Sequence, residues 1–385
     1  MLIYIPAIFL SFISLYFARN FKRQYKLDKN KKYLFFSILL FVVVFFILFI
    51  VSGFRYGIGV DYFYSDTRTL NFQREGFDVP FDEPFLNLIS KIIISLSLPN
   101  QVFFIFLSLI TIACYIISIF ISDEQNYLFQ FFVLIFYCIF FNSLNQSRNG
   151  TSIALGLLAF AIVLNCKKKW YFIILSLLVS CLSILFHNSG IINIAIVIIY
   201  LLFYFFNKRL KNKNLIVTYT CIIAISPLIF VLLYFTIDKI PILNNFAYFF
   251  SYDFDSTGTP LVKFLAGFFS FSIPMIGFVF YLLNFVNTED YFMKFIGFIL
   301  FLNMIFMTFG VLINSLLLSD RLKSTLYFLE LFIVPYMFSK LPKENQRYIY
   351  GGLVSFIMIA VFFSSQTSNG TYPYRSLFGI DFYIY

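Results

Sequence analysis

Long apolar runs alternate with short polar joints along the whole chain. Twelve runs approach the ~20 residues that a helix needs to cross a bilayer core about 30 Å thick. They cover 2–17, 33–52, 101–121, 127–142, 150–166, 170–186, 190–206, 215–236, 263–286, 295–317, 324–339 and 348–364. The pattern predicts an all-α polytopic membrane protein with one transmembrane domain over 1–385. One apolar segment, 85–98, has only 14 residues. At 1.5 Å per residue it reaches about 21 Å, short of the core. It follows Asp82-Glu83-Pro84, acids and a proline that mark a helix start. It reads as an interfacial or re-entrant helix.

Composition agrees. Apolar residues make up 61% of the 385 and charged residues 12%, against about 45–50% and about 25% in soluble domains. Too few charges exist to cover a water-soluble globule, which excludes a soluble enzyme, a secreted disulfide scaffold and a disordered chain. The net charge of +10 comes from 28 Lys and Arg against 18 Asp and Glu. In a membrane protein this excess is an orientation signal, not a nucleic-acid signal. Basic residues gather in alternate joints: Arg19 to Lys32, Lys167 to Lys169, Lys208 to Lys213, Lys294, and Lys340 to Arg347. Placing those joints inside puts 18 of the 28 there and both termini outside. A crossing at 85–98 would reverse every later joint and break the asymmetry. The first run has no basic residue before it, so it reads as a retained span and not a signal peptide. The outer side then holds loop 53–100, loop 237–262 and tail 365–385. The five cysteines form no CxxC pair and read as small core residues.

Four polar clusters fall at helix ends on that outer side. They are Arg55-Tyr56-Gly57-Ile58-Gly59-Val60-Asp61-Tyr62-Phe63-Tyr64, Asn145-Gln146-Ser147-Arg148-Asn149, Phe186-His187-Asn188-Ser189-Gly190 and Ser319-Asp320-Arg321. Arg148 alone reads as a turn arginine, yet it precedes a helix whose dipole disfavours a cation. An arginine beside free helix N–H groups makes an anion site, and Arg321 repeats the arrangement. His187, the single histidine, reads either as a residue before a capping Asn188-Ser189 or as a proton acceptor near neutral pH. Asp61 reads as an Asx-turn residue or a general base. Asp253-Phe254-Asp255 has the form of a metal-binding DxD but reads as a solvated loop. Glu330 is the one acid inside a span and should face the bundle interior, with Lys323 or Arg321 as partner.

The first cluster resembles the opening signature of the EpsG family of bacterial polysaccharide polymerases, the Wzy-type group. Asp82-Glu83-Pro84-Phe85 is similar to the acidic-proline helix start that follows it. Asn145-x-x-Arg148-Asn149 resembles the family's Asn-x-x-Arg-Gln, with Asn149 standing where Gln is usual. Phe186-His187-x-Ser189 resembles its Phe-His-x-small motif, and Arg321 lies where the family has a late arginine. The resemblance implies a membrane glycosyltransferase at the outer face of the bacterial cytoplasmic membrane, and allows a GT-C-like helix arrangement. Its substrates would be undecaprenyl-pyrophosphate-linked oligosaccharides, joined into O-antigen, capsule or exopolysaccharide. A flippase and a chain-length regulator of the same pathway would be partners. Neither nucleotide nor metal is needed, because the energy lies in the phosphosugar bond. Under this expectation Arg148 and Arg321 hold the pyrophosphate with Arg55 as third donor. Asp61 or His187 orients or deprotonates the attacking hydroxyl, and Tyr62, Asn145 and Asp320 support them. A lipid-linked oligosaccharide flippase, an O-antigen ligase and a membrane O-acyltransferase are the competing readings. A flippase should carry its charges along a two-sided cavity, not at one rim. An acyltransferase needs an acyl path from the inner side, where no histidine lies.

Overall fold

A computed structural model describes residues 3–59, 62–166, 169–206, 260–313, 326–368, 374–375 and 381–382. The described helices are α1 (Tyr4–Asp28), α2 (Lys31–Gly53), α3 (Arg68–Arg74), α4 (Pro84–Ser95), α5 (Gln101–Ile121), α6 (Tyr127–Phe136) and α7 (Ile139–Asn145). They continue with α8 (Ser147–Val163), α9 (Tyr171–Ile184), α10 (Ile191–Phe206), α11 (Pro260–Asn284), α12 (Tyr291–Ile313), α13 (Glu330–Lys340) and α14 (Glu344–Ser368). A two-residue antiparallel ladder, β1 (Tyr374–Arg375) with β2 (Asp381–Phe382), is the remaining regular pairing among the described residues. The expected span 215–236, most of loop 237–262 and of tail 365–385, Asp61, the Asp253/Asp255 pair, Ser319-Asp320-Arg321 and Lys323 lie outside them.

Apart from that ladder the described residues fold as helices and their connections, with helices over eleven of the twelve expected runs. Fewer are long and apolar enough to cross a membrane alone. Among the described residues five qualify, and six if α6 and α7, bent by 41°, count as one span. The bend falls at Cys138, whose φ of 62° puts it in the left-handed region. The segment expected not to cross forms α4, of 12 residues.

The chain divides into two compact units, Met1–Val197 with Phe362–Tyr385, and Ile198–Val361. In the first unit, α5 packs on α2 and α8, and α8 packs also on α9. Small residues on α8 also let α7 and α10 approach it closely. A Cβ on Gly150 would stand 2.6 Å from Ser143 Cα, and one on Gly156 would strike the Asn193 side chain. Hydroxyls bond across the seams: Thr111 with Thr151 at 2.8 Å, and Ser176 Oγ donating to Ala159 O at 2.7 Å. Such close approach and bonding replace the hydrophobic drive that lipid cannot supply. The far end of this unit is basic. Lys22 Nζ donates to Phe120 O at 2.6 Å and to the Tyr127 hydroxyl, and Lys26 lies 3.9 Å from Asp123.

In the second unit, α11 packs on α12, where Gly297 lets the Tyr281 ring lie against the backbone. Phe301 and Ile305 form a core with Phe278, Phe298 and Leu302. Glu330 is 1% exposed, and its Oε1 has no hydrogen-bond partner among the described residues. Cys114, Cys138 and Cys166 are buried, while Cys181 is exposed.

Candidate functional site

One end of the first unit collects the polar motifs. The end of α2, the starts of α5 and α8 and the end of α9 meet there. The loop after α2 turns through Gly57 (φ 62°) and Gly59 (φ 95°). A side chain at Gly59 would be strained, and its Cβ would sit 2.6 Å from Leu144 O and 2.7 Å from Asn145 Cα. The second glycine of the first motif therefore exists to seat that loop on the second motif.

Arg55 lies inside this junction, 1% exposed. Its Nη1 donates to Ser52 O at 2.5 Å and Ser108 Oγ at 3.1 Å, and its Nη2 to Ser147 Oγ at 2.6 Å. It ties α2, α5 and α8 together from within. Beside it, the Tyr62 hydroxyl donates to Gln101 Oε1 at 2.6 Å, while Gln101 Nε2 donates to Gly53 O and Arg55 O at 2.7 and 2.8 Å. The Tyr62 ring stacks on Phe104 with centroids 4.2 Å apart. Burial pushes the Tyr62 phenol up to about 12, so it remains a neutral donor.

Arg148 stands in the first turn of α8, with its side chain 20% exposed. Its Nε donates to Asp66 Oδ1 at 2.9 Å and its Nη1 to Glu83 Oε2 at 2.8 Å. Both acid side chains are 2% exposed. Asp66 comes from a π-helical turn, Tyr62–Thr67, and Glu83 is the residue before α4. Burial pushes the Glu83 carboxyl above its ordinary value, against the opposing pull of the Arg148 guanidinium. The guanidinium also lies over the Phe81 ring at 5.4 Å. Asn87 fixes the Phe81 backbone from both sides, accepting from its N–H at 2.5 Å and donating to its carbonyl at 2.6 Å.

A polar chain runs onward from the next residue. Asn149 Nδ2 donates to Gln146 Oε1 at 2.9 Å, and Asn149 Oδ1 accepts from Ser189 Oγ at 2.9 Å. Ser189 Oγ lies 2.7 Å from His187 Nδ1, which also accepts from Ser189 N–H at 3.2 Å. The Phe186 ring meets Phe85 of α4, centroids 5.2 Å apart.

Three of the four sequence clusters thus share one neighbourhood, together with Asn145 and Tyr62. Asp61, Asp320 and Arg321 lie outside the described residues. Arg55, expected as a rim donor, is enclosed. Asp66 belongs to none of the sequence clusters, and Glu83 to none beyond the helix start Asp82-Glu83-Pro84. The available signal was their charge, two of just 18 acids in 385 residues.

No curated protein and no solved structure matches the chain. The EpsG family model matches residues 38–376, a range that takes in every motif described above. The protein, an integral membrane component of polysaccharide biosynthesis, therefore belongs to the EpsG family.

Proposed function

We propose that the protein joins lipid-linked oligosaccharide repeat units into a surface polysaccharide at the outer face of the bacterial cytoplasmic membrane. The observation that carries this reading is Arg148, partly exposed at a helix start, whose neighbour in the chain, Asn149, is hydrogen-bonded to Ser189 and so to His187. Family membership agrees with it.

The donor is a glycan on a polyprenyl pyrophosphate, and the acceptor is a sugar hydroxyl of a second lipid-linked unit. The bond between the anomeric carbon and the phosphate oxygen breaks, and its electron pair stays on the pyrophosphate. The acceptor oxygen bonds to that carbon, and its proton passes to His187 or Asp61. Arg148 stabilises charge developing on the leaving pyrophosphate, with Arg321 as second donor. Arg55 acts through Ser147, holding the start of α8 in place.

The test is a surface-polysaccharide ladder from a deletion strain complemented with Arg148→Ala, read beside the membrane level of the variant. Single repeats should reach the surface while long chains vanish. Arg148→Lys should recover only part of the length, since a point charge cannot reproduce bidentate phosphate binding. Long chains from well-expressed Arg148→Ala would remove the residue from the mechanism. Loss of the single-repeat band as well would favour a flippase.

A further inference from the structure

An arginine that binds phosphate loses attraction for it with every carboxylate placed beside it. Among the described residues Arg148 is held by two, at 2.9 Å on Nε and 2.8 Å on Nη1. The acids come from separate elements, 82 and 65 residues away in the chain. With 2% exposure each, they lie on the closed side of the guanidinium, and at that depth water screens their charge little.

General stability is a weak reason for this arrangement. Gathering three charges out of water costs about what their attraction returns. Three features point instead to control of the arginine's aim. Asp66 is offered from a π-helical turn, a form concentrated at functional sites. Glu83 is set by a loop whose Phe81 backbone Asn87 grips from both sides. Phe81 itself lies under the guanidinium and stacks on Phe103 at 5.3 Å, closing another direction of movement.

We propose that Asp66 and Glu83 are positioning residues that set how strongly Arg148 holds pyrophosphate, aiming its guanidinium and tempering its charge so that the pyrophosphate-bearing product leaves after each transfer. This rests on the proposed reading that the donor is a pyrophosphate-linked glycan. Cleavage turns a pyrophosphate diester into a monoester with a further ionisable oxygen. An untempered arginine would bind that product more tightly than the donor, and release would limit turnover. Two nearby acids weaken both complexes, and weaken the more charged product most.

The experiment uses the full-length protein in detergent and in liposomes. Calorimetry with inorganic pyrophosphate reads anion affinity without turnover, and a polyprenyl-pyrophosphate-linked repeat unit reads kcat and KM. Glu83→Gln and Asp66→Asn each keep a carbonyl acceptor for the arginine and remove the charge. Each should lower the Kd for pyrophosphate and the KM about tenfold, the scale of one opposing charge at this distance, and lower kcat at saturation. Glu83→Asp keeps the charge and should retain wild-type pyrophosphate affinity. Unchanged pyrophosphate affinity in both folded neutral variants overturns the proposal. So does failure of both to fold beside a folded wild type, because the acids would then be scaffolding. A wild-type protein that builds no chains, yet whose variants show the affinity gain, overturns the polymerase reading and leaves the tuning of Arg148 standing.

Discussion

Helices α2 and α8 belong to the same unit and obey opposite rules. α2 is a nearly unbroken run of Phe, Ile, Leu and Val, yet seven of its 23 residues are buried. α8 carries glycines, serines, a threonine and alanines, and 13 of its 17 residues are buried. In water the order would be reversed. In lipid a leucine gains nothing by hiding, so the apolar helix takes the outside, and the helix with small, bonding side chains is enclosed. The candidate site stands on the first turn of that enclosed helix, where Asp66 and Glu83 hold Arg148.

The contrast breaks most visibly if α8 is enlarged. Gly156→Leu drives a branched side chain into Asn193, which bonds Ser152 O and Ser183 Oγ at 3.0 Å each. Overpacking of about 1–3 kcal/mol adds to the loss of those bonds. The folded fraction in detergent, measured by size exclusion, should collapse. A full yield of monodisperse protein would show that α8 is looser than its contacts indicate. Gly59→Ala should act next, by displacing the 55–59 loop from Asn145 at a local cost of about 1–3 kcal/mol. Folded yield should persist while the polysaccharide ladder shortens, and a ladder of normal length would separate the loop from function. Phe46→Ala on α2 should do least. Phe46 is 52% exposed, and its change should lie within about 0.5 kcal/mol. A marked drop in thermal stability there would mean that α2 packs on a partner.

Helix positions were legible because apolar length leaves a local mark. α5 runs over Gln101–Ile121, as the pattern 101–121 predicts. What left no local mark was missed. α1 continues to Asp28 through Arg19, Lys22, Arg23 and Lys26, because charges at a membrane surface end an apolar run without ending a helix. The break before α7 falls at Tyr137-Cys138, with neither glycine nor proline to announce it. The same limit governs the site. Arg148 and His187 were recognisable as rare polar residues at helix ends. That Asp66 and Glu83 pair with Arg148 became visible only in the fold, across 82 and 65 residues, a distance that no window along the chain spans.

The π-helical turn at Tyr62–Thr67 carries one further consequence, for the way this gene can change. One residue added to or taken from a helix rotates everything beyond it by about 100°. Between Tyr62, bonded to Gln101, and Asp66, bonded to Arg148, the spacing thus sets direction as well as distance. A deletion of one codon there turns Asp66 away from Arg148. Lineages of this protein should accordingly hold the count of residues between Tyr62 and Asp66.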